Sequence, residues 1–147
     1  MRGQKVVLLV TGLAVLLAGA WASLRPGNTE NPATRAPQEA AGAPLVQVRV
    51  PDLSPTERQG ETRFNDRCAS CHGVHAAGQD GVAPPLVHRI YEPSHHADMS
   101  FLMAVRQGVR AHHWPFGNMP PIPDLAADDV ALIVTYVRAL QRENGIR

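Results

Sequence analysis

Cys68-Ala69-Ser70-Cys71-His72 is the stretch on which the reading of this chain turns. Two thiols three positions apart, with a histidine directly after the second, form the pattern of covalent c-type haem attachment. The thiols can add to the two vinyl groups along one porphyrin edge. The histidine that follows emerges on one face of the ring, within reach of the iron. A chain built on this motif has to wrap a flat, apolar, redox-active disc.

The two cysteines of the motif are the only ones in the chain, so a disulfide framework is excluded. A lone CxxC could instead be a redox dithiol or half of a zinc site. The first belongs in a strand–helix–strand setting, and no such alternation surrounds Cys68. The second needs another pair of ligands at ordered spacing, which the histidine pairs further on do not offer. Haem attachment therefore leads.

A length of 147 residues leaves room for one ordinary domain, less whatever the ends use. Residues 1–50 carry five basic and two acidic groups, and residues 51–147 carry nine and eleven. The globular part is thus slightly acidic before any haem propionates are counted, and no basic stripe suits nucleic acid. Lys5 is the only lysine in the chain.

Upstream of the motif, Arg2 and Lys5 precede an apolar run from Val6 to Leu24, broken by Thr11, Gly12, Gly19 and Ser23. Ala20-Trp21-Ala22 offers the small-x-small pattern of a cleaved signal peptide. About twenty such residues also suffice to span a bilayer, and the basic lead would keep the N-terminus cytoplasmic. Either way the rest is exported. Residues 25–44 are rich in Pro, Ala, Gly and Thr and cannot bury enough apolar surface to order themselves. A tether has most use in an anchored protein. The expected organisation is a signal peptide or membrane anchor at 1–24, a linker at 25–50 and a domain at 51–147. The domain would face the periplasm from the cytoplasmic membrane, or be soluble there after cleavage. Leu45 to Val50 alternates weakly and suits a short extended segment along the domain edge.

Ser54-Pro55-Thr56-Glu57 predicts a helix start: a serine cap, proline in the first turn and an acid behind it. The helix should reach Arg67, with Gly60 and Phe64 on one face. A glycine there costs about 1 kcal/mol relative to alanine, and taken alone it reads as tolerated on a solvated face. Gly73 to Pro85 is a loop. Asp98 predicts the cap of a helix over Met99–Gln107, with Phe101, Leu102 and Val105 inward and Gly108 as its stop. Val109 to Pro123 holds prolines at 115, 120, 121 and 123 and cannot be regular. The last helix is predicted over Leu125–Glu143. Its apolar residues Val130, Ile133, Val134, Val137 and Leu140 recur at helical spacing, and Arg138 and Arg142 suit its C-terminal dipole. The fold class is all-α: three main helices and long loops.

In this order the elements resemble a class I monohaem c-type cytochrome over residues from about 52 to 142. The resemblance rests on Gly60-x-x-x-Phe64, Cys68-x-x-Cys71-His72, Ala83-Pro84-Pro85-Leu86, and Met119-Pro120 ahead of a helix containing Tyr136. It implies that the first and last helices cross at Gly60, with Phe64 against Tyr136. It also implies that the Pro84 carbonyl accepts from the non-ligating nitrogen of His72, and that Leu86 packs on the haem. At Ala83 relatives usually have glycine.

His72 and Met119 are the expected iron ligands. His/Met ligation raises the potential, and Met119 sits in a loop stiffened by Pro115, Pro120 and Pro121, which lowers the entropy cost of holding it. Met99 and Met103 read as flexible core filler. His112 and His113, in the same loop as Met119, are competing ligands. A five-coordinate iron would permit ligand binding or peroxidase chemistry, for which no catalytic acid pair is visible.

The chain is expected to carry one covalent haem c and to shuttle single electrons between redox partner proteins, without transforming a substrate itself. The alternatives are a haem subunit of an oxidoreductase, or a copper-linked or small-ligand-binding haem protein. The second of these would use His95-His96 and His112-His113, since imidazole suits copper, zinc and nickel; otherwise the pairs are surface residues bonding loop backbone or propionates. Trp114 and Phe116 would cover the haem edge. Without a lysine ring, and with Arg67, Arg89, Arg106 and Arg110 countered by acids, docking should rest on small apolar contacts around that edge.

Overall fold

A computed structural model describes residues 42–147. The expected leader or anchor at 1–24, and the linker up to residue 41, lie outside the described residues. Among those described, no helix is long and apolar enough to cross a membrane.

The described part is all-α: α1 (Pro55–Arg67), α2 (Ala69–His72), α3 (Asp98–Gln107) and α4 (Ala127–Glu143), with two 3-10 turns at Val74–Ala76 and Arg89–Tyr91. There is no strand among the described residues, only two isolated bridges, Gln79 with Ala83 and Val109 with Met119. The start of α1 is a reciprocal capping box. Ser54 Oγ accepts from the Glu57 N–H, and Glu57 Oε2 accepts from the Ser54 N–H at 2.8 Å. A cap of this kind contributes about 1 kcal/mol. The Ser54 N–H bond holds the Glu57 carboxyl below its ordinary range, with lesser help from Arg142.

The main contact is α1 against α4. Gly60 lies at the crossing, where an added Cβ would fall 2.1 Å from the Leu132 carbonyl oxygen. Phe64 and Tyr136, both fully buried, meet there with ring centroids 5.7 Å apart. Around them Leu53, Leu86, Ile133, Val137, Leu140 and Ile146 complete the larger core cluster. Burying one such side chain contributes roughly 1.5–3 kcal/mol, which outweighs the helix-propensity cost of the glycine that allows the approach. A smaller cluster, Val105 with Val130 and Val134, joins α3 to α4 and carries Met119 on its flank. Phe101 and Leu125 pack against both clusters.

Three expectations need correction. Asp98 does not cap α3: Ala97 is the cap residue, and Asp98 occupies the first turn with its carboxylate 2.8 Å from Arg138 Nε. Met99 and Met103 are not core filler but exposed, at 62% and 41%, because α3 packs on α4 through Phe101, Leu102 and Val105 instead. Of the arginines expected to be countered, Arg67 pairs with Asp124 at 2.7 Å, whereas Arg89, Arg106 and Arg110 form no ion pair among the described residues.

Residues 42–50, the last part of the expected linker, lie on the domain. The Gly42 N–H donates to Asp80 O, the Leu45 N–H to Ala77 O, and Arg49 exchanges backbone bonds with the Asn144 side chain. Val48 packs against the main core.

Candidate functional site

The Cys68–His72 motif is folded as a continuation of α1. The Cys68 N–H donates to Phe64 O at 2.8 Å, and the His72 N–H donates to Cys68 O at 2.9 Å. Residues three and four apart on a helical turn share a face, so Cys68, Cys71 and His72 are presented together. Neither cysteine is in a disulfide. The turn is closed by a residue that the sequence reading passed over: Gln79 Nε2 donates to the carbonyls of Ala69, Ser70 and Cys71, at 3.2, 2.8 and 3.1 Å. The Ser70 and Cys71 carbonyls are acceptors that a helix end leaves without partners, while Ala69 O also accepts from the Gly73 N–H at 2.9 Å.

Burial pushes the Cys68 thiol up to about 11, against a smaller opposing effect of Arg67. A thiolate nucleophile such as a redox dithiol needs the opposite shift. The only cluster of three or more potential metal-ligating side chains among the described residues contains neither cysteine.

His72 Nδ1 lies 2.9 Å from the Pro84 carbonyl oxygen. The Nδ1–H therefore donates to Pro84 and the lone pair is on Nε2, an orientation that raises the basicity of that nitrogen. Burial holds the imidazole below its usual range, with the Pro84 bond opposing in part. The ring is thus available in its neutral form. Ala83 keeps an ordinary backbone conformation, so no glycine is required there. Leu86 is buried in the main cluster, its N–H bonded to Ala76 O at 2.9 Å.

Met119 is held from both sides. Its N–H donates to Val109 O at 3.0 Å, and its carbonyl accepts from the Val109 N–H at 2.9 Å. Asn118 Oδ1 accepts from the Ala111 N–H at 2.9 Å, bracing the intervening loop. Gly108, at φ +73°, turns α3 into this segment; a Cβ there would fall 2.6 Å from the Met119 carbonyl oxygen. The Met119 side chain is half-buried beside Val105, Val130 and Val134.

Trp114 stacks on Phe116 at 5.8 Å. Its indole Nε1 is buried without a hydrogen-bond partner, near the Tyr91 phenol but outside bonding geometry.

Two further residues position the site and were not legible beforehand. Arg138 and Gln141 on α4 are almost wholly buried. Arg138 Nη1 donates to Tyr91 O at 2.6 Å, and Nη2 donates to His96 O. Gln141 Nε2 donates to Leu86 O at 2.8 Å and to Tyr91 O at 3.0 Å. Together they pin the 86–96 loop from beneath. His75 Nδ1 lies 3.1 Å from the Tyr136 hydroxyl, tying the loop after the motif to the helix crossing.

The four paired histidines are drawn together, but unequally. One ring nitrogen from each of His95, His96 and His113 lies within 4.8 Å of the others. His112 stands beside them, stacked on His96 at 6.2 Å, with Nδ1 donating to Arg110 O at 2.8 Å.

These residues fit a covalent haem. Two cysteines outside any disulfide and an oriented imidazole share one face, a thioether sits on a braced loop, and a buried indole N–H without a protein partner suits a propionate oxygen. A family model for cytochrome c matches residues 57–141, more than half of the chain. No curated protein and no solved structure matches it. With that match laid over the helical Cys68–His72 turn and the all-α frame that carries it, the chain belongs to the cytochrome c family, with haem c and its iron as covalent cofactor and haem-based electron transfer as its chemistry.

Proposed function

We propose that this is a class I electron carrier whose iron is held between His72 Nε2 and Met119 Sδ, with Cys68 and Cys71 bonded to the porphyrin. When bound, the haem supplies reversible one-electron exchange. The observation that carries the reading is the two-way pairing of Met119 with Val109. A thioether whose backbone is fixed on both sides moves little when the charge beside it changes, which suits a carrier. His72 is fixed likewise through Pro84. His113, a competing donor on the same loop, is turned toward His95, with their Nε2 atoms 3.4 Å apart. Leu86 would pack on the haem, and Trp114 and Phe116 would cover its edge.

The test is carbon monoxide binding to the reduced, haem-loaded protein. The wild type is expected not to bind it, and Met119→Ala is expected to bind it and to show a lowered potential. Tight binding by the wild type, unaffected by Met119→Ala, would show an open iron and return the ligand-binding reading.

The partners are other redox proteins, met through the apolar surroundings of the haem edge. The domain is exported and tethered at the periplasmic face of the membrane through residues 1–24, with residues 25–41 as spacer. Mass spectrometry of the mature protein is expected to show one added haem and a retained leader. A mass lacking residues 1–22 would make the protein soluble.

A further inference from the structure

With the iron held by His72 and Met119, the reading on which this inference rests, the histidine cluster is left without a role at the haem. His95 and His96 belong to the turn before α3, where both N–H groups donate to Glu92 O, at 3.0 and 2.8 Å. His113 comes from the loop closed by Val109 and Met119. The fold brings the three rings together in a triangle, with centroids 4.6 Å (His95–His96), 5.4 Å (His95–His113) and 5.5 Å (His96–His113) apart.

We propose that His95, His96 and His113 form a second metal site, for a borderline divalent cation such as Zn(II) or Cu(II). Metal–imidazole bonds of 2.0–2.1 Å at tetrahedral angles separate the two ligand nitrogens by about 3.3 Å. His95 Nε2 and His113 Nε2 are 3.4 Å apart, so that edge of the tetrahedron is already formed. His96 is oriented as metal-bound imidazoles usually are: Nδ1–H donates to the Ile90 carbonyl at 2.6 Å, which leaves the lone pair on Nε2. Its backbone carbonyl is anchored in turn by the buried Arg138. His112, expected from the sequence to complete a four-histidine set, instead stacks on His96 and closes one side.

The donor set is three imidazole nitrogens with no carboxylate among them. Such a set favours zinc, copper and nickel over calcium and magnesium, which want oxygen. His95 and His113 are exposed and His96 is half-buried, so the cation enters from solvent and keeps a fourth position for water or a partner's side chain. Because His113 lies six residues before Met119 on the same loop, an occupied site joins that loop to the turn at 92–97. Occupancy would stiffen the segment that carries Met119.

The test is equilibrium dialysis of the haem-loaded protein against Zn(II), Cu(II) and Mg(II), with the haem spectrum followed throughout. One equivalent each of Zn(II) and Cu(II) is expected to bind with the haem spectrum unchanged, Mg(II) not to bind, and bound metal to raise the unfolding temperature. Competition between the first two identifies the preferred ion. His95→Ala and His113→Gln, both at exposed positions, are each expected to weaken binding at least about 100-fold. Failure of both ions to bind stoichiometrically would overturn the site. So would undiminished binding in the doubly substituted His95→Ala/His113→Gln protein.

Discussion

Gly60→Ala is expected to lower the stability of the haem-loaded domain by about 3 kcal/mol, or roughly 10–20 °C in unfolding temperature for a domain of this size. In an isolated helix the same change would help by about 1 kcal/mol. Here the new methyl would meet the Leu132 carbonyl oxygen at 2.1 Å and the Tyr136 Cβ at 2.9 Å. The first is backbone and cannot rotate away, so α1 and α4 must separate. Separation loosens the Phe64–Tyr136 contact, and with it the hydrogen bond between the Tyr136 hydroxyl and His75 Nδ1 in the loop after the haem motif. Thermal unfolding followed by circular dichroism reads the effect. A loss under about 5 °C would mean that the crossing yields, and that Gly60 is not what sets the distance between these helices.

The second large effect is expected at Arg138. Arg138→Met keeps much of the side-chain length but removes the donors that hold His96 O, Tyr91 O and Gln141 Oε1. Leaving buried acceptors unpaired costs about 1–3 kcal/mol each. Tyr91 O keeps its bond from Gln141, so a total near 3 kcal/mol is expected. The ion pair with Asp98 adds little, because that carboxylate is 70% exposed. The loss should be local as well as global: amides of the 89–96 loop should exchange faster with solvent, while those of α1 change only in step with overall stability. Unchanged exchange in that loop would show that the carbonyls find other donors, and that Arg138 is no more than a helix-terminal charge.

Arg138 also shows where reading the chain stops. As one of two arginines in the last turns of α4 it matches the helix dipole, and nothing within four residues distinguishes it from Arg142. Yet Arg142 is exposed and pairs with Glu57, while Arg138 is 7% exposed and pins a loop more than forty residues away. The difference depends on which face of α4 meets that loop. Gln79 is a similar case: a loop glutamine carries no sign that it will close the turn of the haem motif. Met99 and Met103 failed in the other direction. Their helical spacing was apolar enough for burial, but α3 is covered on one side only.

Local order is legible because its causes are local. Ser54 and Glu57 close a capping box within four residues, α4 shows its buried stripe in its own period, and the prolines around Met119 exclude regular structure whatever packs on them. The Cys68–His72 spacing likewise needs only one helical turn to place two thiols and an imidazole on one face. By itself the sequence therefore determined the helices, the haem attachment motif and the candidate ligands. The tertiary structure alone decided how closely α1 and α4 approach at Gly60, that Arg138 and Gln141 anchor the 86–96 loop, and that three of the four paired histidines converge while His112 stands aside. These depend on partners from eighteen to seventy-six residues distant along the chain, and such partners meet only once burial of the Phe64–Tyr136 core has brought the helices together.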